Sequence, residues 1–225
     1  MAEPMKVTLL MPTLNEIEGL RLIMPRIDRK WVDEILVIDG GSEDGTPDYS
    51  RELGCRVIMQ KSRGISGAYR EAVPEAKGDV IIAFSPDNNS VPERIPDLIA
   101  KMKEGYDMVI VSRYTGGAKS EDDDFLTGIG NWMFTTIINL FFGGRYTDTL
   151  VMFRAWRKEI MPVVPEFYPR AGLETYLSIQ CAKRKLKVAE IPGDEPARIG
   201  SARKMNPLLN GIDVSKLIIR EFFSK

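Results

Sequence analysis

The stretch Val80-Ile81-Ile82-Ala83-Phe84-Ser85-Pro86-Asp87-Asn88-Asn89-Ser90 decides how the chain is read. It begins as a run of apolar and β-branched residues, the pattern of a strand buried on both faces. It stops abruptly in polar residues at Pro86. Asp87 and Asn89 are two residues apart, so an extended backbone points both side chains the same way, with Ser85 at the same spacing. Oxygen ligands on one edge suit a hard divalent cation, Mg²⁺ or Mn²⁺. The plainer reading is a strand that runs into an Asn/Asp turn.

Outward from this stretch, the same pattern repeats. Strands are expected at Val7–Met11, Glu34–Asp39, Arg56–Met59 and Tyr106–Ser112. Helices are expected between them, over about Glu16–Arg29 with Asn15 as N-cap, over Pro47–Leu53, and from the Arg63–Ala68 segment to about Lys77. Ser90-Val91-Pro92-Glu93 reads as a capping box that opens a helix to about Glu104. Alternating strands and helices predict an α/β fold, a mostly parallel sheet with helices on both faces. Such sheets bind ligands at the carboxyl ends of their strands. Four polar clusters fall there: Pro12–Glu16, Asp39–Thr46, Arg63–Gly67 and Ser85–Asn89.

The second half is less regular. Phe125–Phe142 is strongly apolar, yet Asn131 and Asn139 interrupt it, which argues for a buried or interfacial helix rather than a membrane span. A strand is expected over Val151–Trp156, helices near Arg157–Val164 and Gly172–Lys185, and a last strand over Lys187–Ile191. Residues 1–204 read as one domain. Residues 205–225 read as an amphipathic helix, apolar at Leu208, Leu209, Ile212, Ile219, Phe222 and Phe223 and basic at Lys216 and Arg220. Such a stripe either joins the core or lies on a membrane surface.

Composition narrows the chemistry. Thirty-one basic and 32 acidic residues in 225 argue against a nucleic-acid-binding surface. The chain has no histidine, which removes Ser-His-Asp triads, His-ligated zinc and histidine bases. Cys55 and Cys181 form no metal pattern and read as reduced thiols of a cytoplasmic protein. The apolar run near the N-terminus is too short for a signal peptide. A nucleotide suits the crevice: Asp39 and Glu16 are placed to accept from ribose or base, and the Gly-rich helix start with Arg63 is placed to hold phosphate. No Gly-Lys-Ser/Thr follows the Gly40–Thr46 turn, so it is not a Walker loop.

These motifs resemble those of the family 2 glycosyltransferases. The matching pieces are PTLNE at 12–16, VIDGGSEDGT at 37–46, RGISGA at 63–68, SPD at 85–87, SRY at 112–114, DTLVMFR at 148–154 and RIGSARK at 198–204. The last three are similar to the polyprenyl-phosphate branch, typified by dolichyl-phosphate mannose synthase. The resemblance implies a GT-A fold, a UDP- or GDP-linked sugar donor, a divalent cation and inversion at the anomeric carbon. It implies donor contacts on Pro12, Thr13, Asn15, Glu16, Asp39, Gly40, Arg63, Gly64, Pro86 and Asp87, with the cation on Asp87 and Asn89. It puts the acceptor phosphate on Arg113, Asp148, Arg198, Ser201, Arg203 and Lys204. Asp87, Arg113 and Glu174 are then the catalytic candidates. Asp39 and Asp148 could instead hold turns, and Arg113 could pair with an acid. Two departures stand out: Ser85 replaces the first carboxylate of the family's D-x-D, and Gly40 replaces an aspartate. The resulting expectation is sugar transfer to a polyprenyl phosphate by a peripheral enzyme at the cytoplasmic membrane face. The rivals are transfer to a sugar hydroxyl, with Glu174 or Asp148 as base, and a nucleotide-sugar-binding protein without turnover.

Overall fold

The computed structural model describes residues 5–123, 125–165, 173–200 and 206–224. Seven strands form one sheet: β1 (Val7–Thr13), β2 (Glu34–Asp39), β3 (Arg56–Met59), β4 (Val80–Ala83), β5 (Met108–Ser112), β6 (Arg154–Arg157) and β7 (Val188–Pro192). Their order is β3-β2-β1-β4-β6-β5-β7. All neighbours are parallel except β6, which runs against both β4 and β5. The helices are α1 (Ile17–Ile23), α2 (Thr46–Glu52), α3 (Ile65–Glu75), α4 (Ile95–Lys103), α5 (Phe125–Phe142), α6 (Leu173–Lys183) and α7 (Pro207–Phe223). The fold is the expected GT-A type of α/β architecture. β1 pairs Leu10 with Leu36 on one side and Ala83 on the other, so its apolar run is buried on both faces. The carboxyl ends of β1, β2 and β4 therefore lie side by side.

Prolines account for the largest changes at the helix ends. The first helix ends at Ile23 rather than Arg29, because Pro25 turns the chain into a short 3₁₀ segment, Met24–Arg26. Asn15 does not cap it: Asn15 takes φ +53° and its Oδ1 accepts from Glu43 N at 2.9 Å, while Glu16 occupies the N-cap. The Ser90–Glu93 capping box does not form. Pro92 starts a 3₁₀ turn, Pro92–Arg94, Pro96 sits in the first turn of α4, and Ser90 Oγ accepts instead from Ser85 N at 3.4 Å. The helix expected at 157–164 is only a 3₁₀ turn, Lys158–Ile160, followed by Pro162.

α5 docks through both polar and apolar residues. Beside the buried Phe134 and Ile138, Asn139 exchanges two hydrogen bonds with the backbone of Tyr146 (2.8 and 2.9 Å), and Thr135 bonds Thr149 at 2.8 Å. Leu126, Trp132, Leu140 and Phe141 point outward. α7 lies beside it, with Phe141 and Phe222 edge to face at 5.4 Å. α7 buries Val214, Leu217 and Ile218 in the same core as the sheet, and Gln180 Nε2 donates to its Glu221 at 2.7 Å. All six apolar residues of the stripe read from the sequence stay exposed. No helix among the described residues is long and apolar enough to cross a membrane.

The reversed strand β6 is tied to α6 by Arg154, which is fully buried. Its fork donates to Val151 O at 2.6 Å, Glu174 O at 2.8 Å and Ser178 Oγ at 2.9 Å. Burial, only partly opposed by nearby acids, pulls its pKa below the usual arginine value. Arg154→Met keeps the stem and orphans those carbonyls, so urea unfolding is expected to show a loss of about 3 kcal/mol. A loss under about 1 kcal/mol would mean that the fork contributes little net stability.

Candidate active site

Three turns at the strand ends are stitched into one surface. Thr13 Oγ1 donates to Asp39 Oδ2 at 2.9 Å, Asn15 N donates to Ser42 Oγ at 2.7 Å, and Glu16 N donates to Thr46 Oγ1 at 2.9 Å. Asp44 completes the seam, accepting from Ile17 N at 3.1 Å and Thr46 N at 2.9 Å. The 12–16 and 39–46 clusters thus form a single rigid unit. Asp39 is fully buried, and its Oδ1 accepts from Gly41 N at 3.0 Å and Ser42 N at 2.8 Å. Its Oδ2 takes Thr13 and Ser42 Oγ, the latter at 2.6 Å. A carboxylate offers about four acceptor sites, and here four donors fill them. In this state Asp39 shapes the turn that carries Gly40; a ligand hydroxyl must displace one of these donors to reach it.

The Ser85–Asn89 turn lies against α1. A Cβ on Gly19 would stand 2.2 Å from Pro86 O, so the approach of the two backbones depends on that glycine. The sequence reading passed over Gly19, since nothing local distinguishes it. Asp87 is buried; its Oδ1 accepts from Asn89 N at 3.1 Å, and its Oδ2 pairs with Arg198 Nη1 at 2.7 Å. Among the described residues, Asn89 Oδ1 is buried with no hydrogen-bond partner. An orphaned amide oxygen beside a buried carboxylate suits a hard cation. Gly64 takes φ +81° before α3, and Arg63 beside it is exposed in the loop that follows β3. Pro12, Thr13, Glu16 and Pro86 line the same region of the strand ends.

A second charged cluster follows β5. Arg113 clasps Asp148 with Nε at 2.7 Å and Nη2 at 3.1 Å. Asp148 is fully buried and also accepts from Leu150 N and Val151 N at 3.2 and 3.1 Å. Arg113 Nη1 faces Glu195 Oε2 at 3.1 Å and Asp123 Oδ2 at 3.2 Å. Burial works against this guanidinium, but Asp148 and then Glu195 and Asp123 hold its pKa well above the usual value. Tyr114 OH donates to Asp123. Glu174 lies half-buried at the start of α6; burial pushes its carboxyl upward, with Arg154 in partial opposition. Ser201, Arg203 and Lys204 lie outside the described residues.

The sequence profile described as Glycosyl transferase family 2 matches residues 8–161, more than half of the chain. The chain belongs to family 2 of the glycosyltransferases. Dolichyl-phosphate hexose transferase of Haloferax volcanii is 30% identical over 216 residues, covering 95% of this chain and 92% of the relative. Dolichol-phosphate mannosyltransferase of Pyrococcus furiosus is 32% identical over 207 residues, covering 84% of this chain but 56% of that longer protein. Among solved structures, glucosyl-3-phosphoglycerate synthase of Mycobacterium tuberculosis, in complex with Mn²⁺, UDP and phosphoglyceric acid, superposes with a TM-score of 0.76. It is 20% identical, over 98% of this chain and 80% of that one, which bears on fold alone. This glycosyltransferase therefore brings the Pro12–Glu16, Asp39–Thr46 and Ser85–Asn89 motifs together, and sets Arg113 and Asp148 as a buried pair. Gly19→Ala is expected to cost about 1–3 kcal/mol by overpacking against Pro86. It should also speed hydrogen exchange at Asn89 N, which is bonded to Asp87. Unchanged stability and unchanged exchange would show that the turn is not held by this contact.

Proposed function

We propose that this glycosyltransferase moves a sugar from a UDP- or GDP-linked donor to a polyprenyl phosphate, with inversion at the anomeric carbon. The reading rests most on one juxtaposition. In sequence, α5 comes soon after Asp123, which pairs with Arg113, and α7 comes soon after Arg198, which pairs with Asp87, and both helices present apolar faces. A groove of about 370 Å³ between them is lined by Phe134, Ile137, Phe141, Ile218, Phe222 and Phe223. An anionic headgroup at the crevice and a hydrocarbon tail along the helices fit one molecule. The relatives named for dolichyl phosphate support the same acceptor class.

In this reading Pro12, Thr13, Asn15, Glu16 and Gly40 face the nucleoside, with Asp39 holding their turn. Arg63 and Gly64 serve the donor from the start of α3. Asp87 and Asn89 would hold a divalent cation, which when bound stabilises the charge on the leaving diphosphate. The acceptor phosphate is ionised near neutral pH, so no general base is needed, in keeping with the absence of histidine. Arg113 is fixed to Asp148 through two of its nitrogens, which leaves Nη1 as the position where phosphate could exchange with Asp123 or Glu195. Ser201, Arg203 and Lys204 complete the acceptor set, while Arg198, expected in that set, sits on Asp87 instead. The exposed faces of α5 and α7 would lie in the headgroup region of the cytoplasmic leaflet.

The test is product formation from a panel of UDP- and GDP-sugars with a polyprenyl phosphate in liposomes. Lipid-linked sugar of inverted anomeric configuration is expected, falling by about 100-fold or more in Asp87→Ala. Phe222→Glu/Phe223→Glu changes exposed residues only, so it should lose liposome flotation and lipid product while keeping donor binding and thermal stability. Transfer to free sugar hydroxyls instead of lipid phosphate would refute the acceptor. Donor binding with no product from any acceptor would mean a binding protein.

A further inference from the structure

The segment Asp194–Ile199 is a strap that closes over the Asp87 turn. Ile199 N donates to Asp87 O at 2.9 Å, Asn88 Nδ2 donates to Ala197 O at 2.8 Å, and Arg198 Nη1 pairs with Asp87 Oδ2 at 2.7 Å. The far end of the strap is anchored by Glu195, on Arg113 Nη1 and, through Glu195 N, on Lys119 O at 2.9 Å. A guanidinium thus sits on the carboxylate that the donor's cation would need.

We propose that Arg198 is a gatekeeper cation: it bars a lone divalent ion from Asp87 and admits one only together with a diphosphate, onto which the guanidinium then transfers. This deepens the donor reading above and rests on it. The reason is charge balance in a buried place. The Asp87 side chain is 3% exposed, and Ser85 on the same edge brings no charge. A divalent ion beside Arg198 would set three positive charges against one carboxylate, which a low-dielectric site does not tolerate. Arginine cannot relieve this by losing a proton. It must move, and leaving Asp87 unpaired with water excluded is costly unless the ion arrives as it goes. A diphosphate carrying two negative charges restores neutrality and offers the fork a bidentate partner. Two atoms stand ready for that exchange. Asn89 Oδ1 lacks a donor and Arg198 Nε lacks an acceptor, both buried, among the described residues.

Cation and nucleotide must then bind with strong positive coupling, and Arg198 must be its source. The experiment is Mn²⁺ binding to the full chain, read as free Mn²⁺ by electron paramagnetic resonance, with and without UDP or GDP. Wild type should bind Mn²⁺ alone weakly, with nucleotide tightening it about 30-fold or more. Arg198→Gln should bind Mn²⁺ alone about tenfold tighter, with the coupling reduced by a similar factor. Arg198→Lys keeps the charge, so its Mn²⁺ binding without nucleotide should stay within about threefold of wild type. Unchanged or weaker Mn²⁺ binding in Arg198→Gln overturns the proposal. So does tighter binding that survives Asp87→Asn, because the ion then sits elsewhere. If neither nucleotide affects Mn²⁺ in wild type, the donor reading fails and the coupled admission of the ion is overturned with it; tighter Asp87-dependent binding of Mn²⁺ alone in Arg198→Gln would then support only the barring of the lone ion.

Discussion

A buried carboxylate must find donors or a cation, and this protein buries three aspartates at the ends of its strands and loops. Asp39, Asp87 and Asp148 are 0%, 2% and 0% exposed. Each solves the problem differently. Asp39 takes four neutral donors from its own turn and from β1, which welds the first two strand ends into one surface. Asp148 takes the fork of Arg113 and three backbone amides, which pins the β5 exit to the segment before β6. Asp87 takes one amide and one guanidinium from a strap outside the sheet. The first two arrangements are closed. The third depends on a residue that is itself 24% exposed, so it is the one that a ligand can exchange most cheaply. Rigidity on two sides and an exchangeable cation on the third suit a site that holds a nucleoside in a fixed frame and admits charge at one edge.

The helical side of the molecule follows a different rule. In α5 Asn139 and Thr135 satisfy backbone groups at Tyr146 and Thr149 beside the buried Phe134 and Ile138, while Leu126, Trp132, Leu140 and Phe141 are left outside. α7 repeats the arrangement around Glu221, which is buried against Gln180 and Lys183 while Phe222 and Phe223 stay exposed. Helices that dock by hydrogen bonds and expose hydrophobic surface are stable in water only at a cost, and a lipid headgroup layer removes that cost. Docking and exposure are therefore not alternatives for α7: one face joins the core while the other remains available.

The strands were legible in the sequence where an apolar run met a polar stop. β2 and β3 begin and end at the expected residues, and so does α5, while α7 falls inside the expected terminal segment. The turns were less legible. Pro25, Pro92 and Pro96 replaced expected helical starts and ends with 3₁₀ segments, since a missing N–H changes which cap can form. The convergence of three polar motifs followed from the parallel sheet alone. What each motif does there was not readable: the saturation of Asp39 depends on Thr13 from another strand, and the Arg198–Asp87 pair joins distant segments. Gly19 had no local signal at all, because its importance lies in a backbone carbonyl that reaches it from Pro86.

Diffraction at the manganese absorption edge, from crystals of the full chain grown with Mn²⁺ and UDP, would locate the cation without reliance on activity. A single anomalous peak is expected within coordinating distance of an Asp87 carboxylate oxygen and Asn89 Oδ1, with the Arg198 guanidinium moved from Asp87 to the diphosphate. A peak bound by other residues, or nucleotide present with the Arg198–Asp87 pair intact, would contradict the assignment of this edge as the donor's cation site.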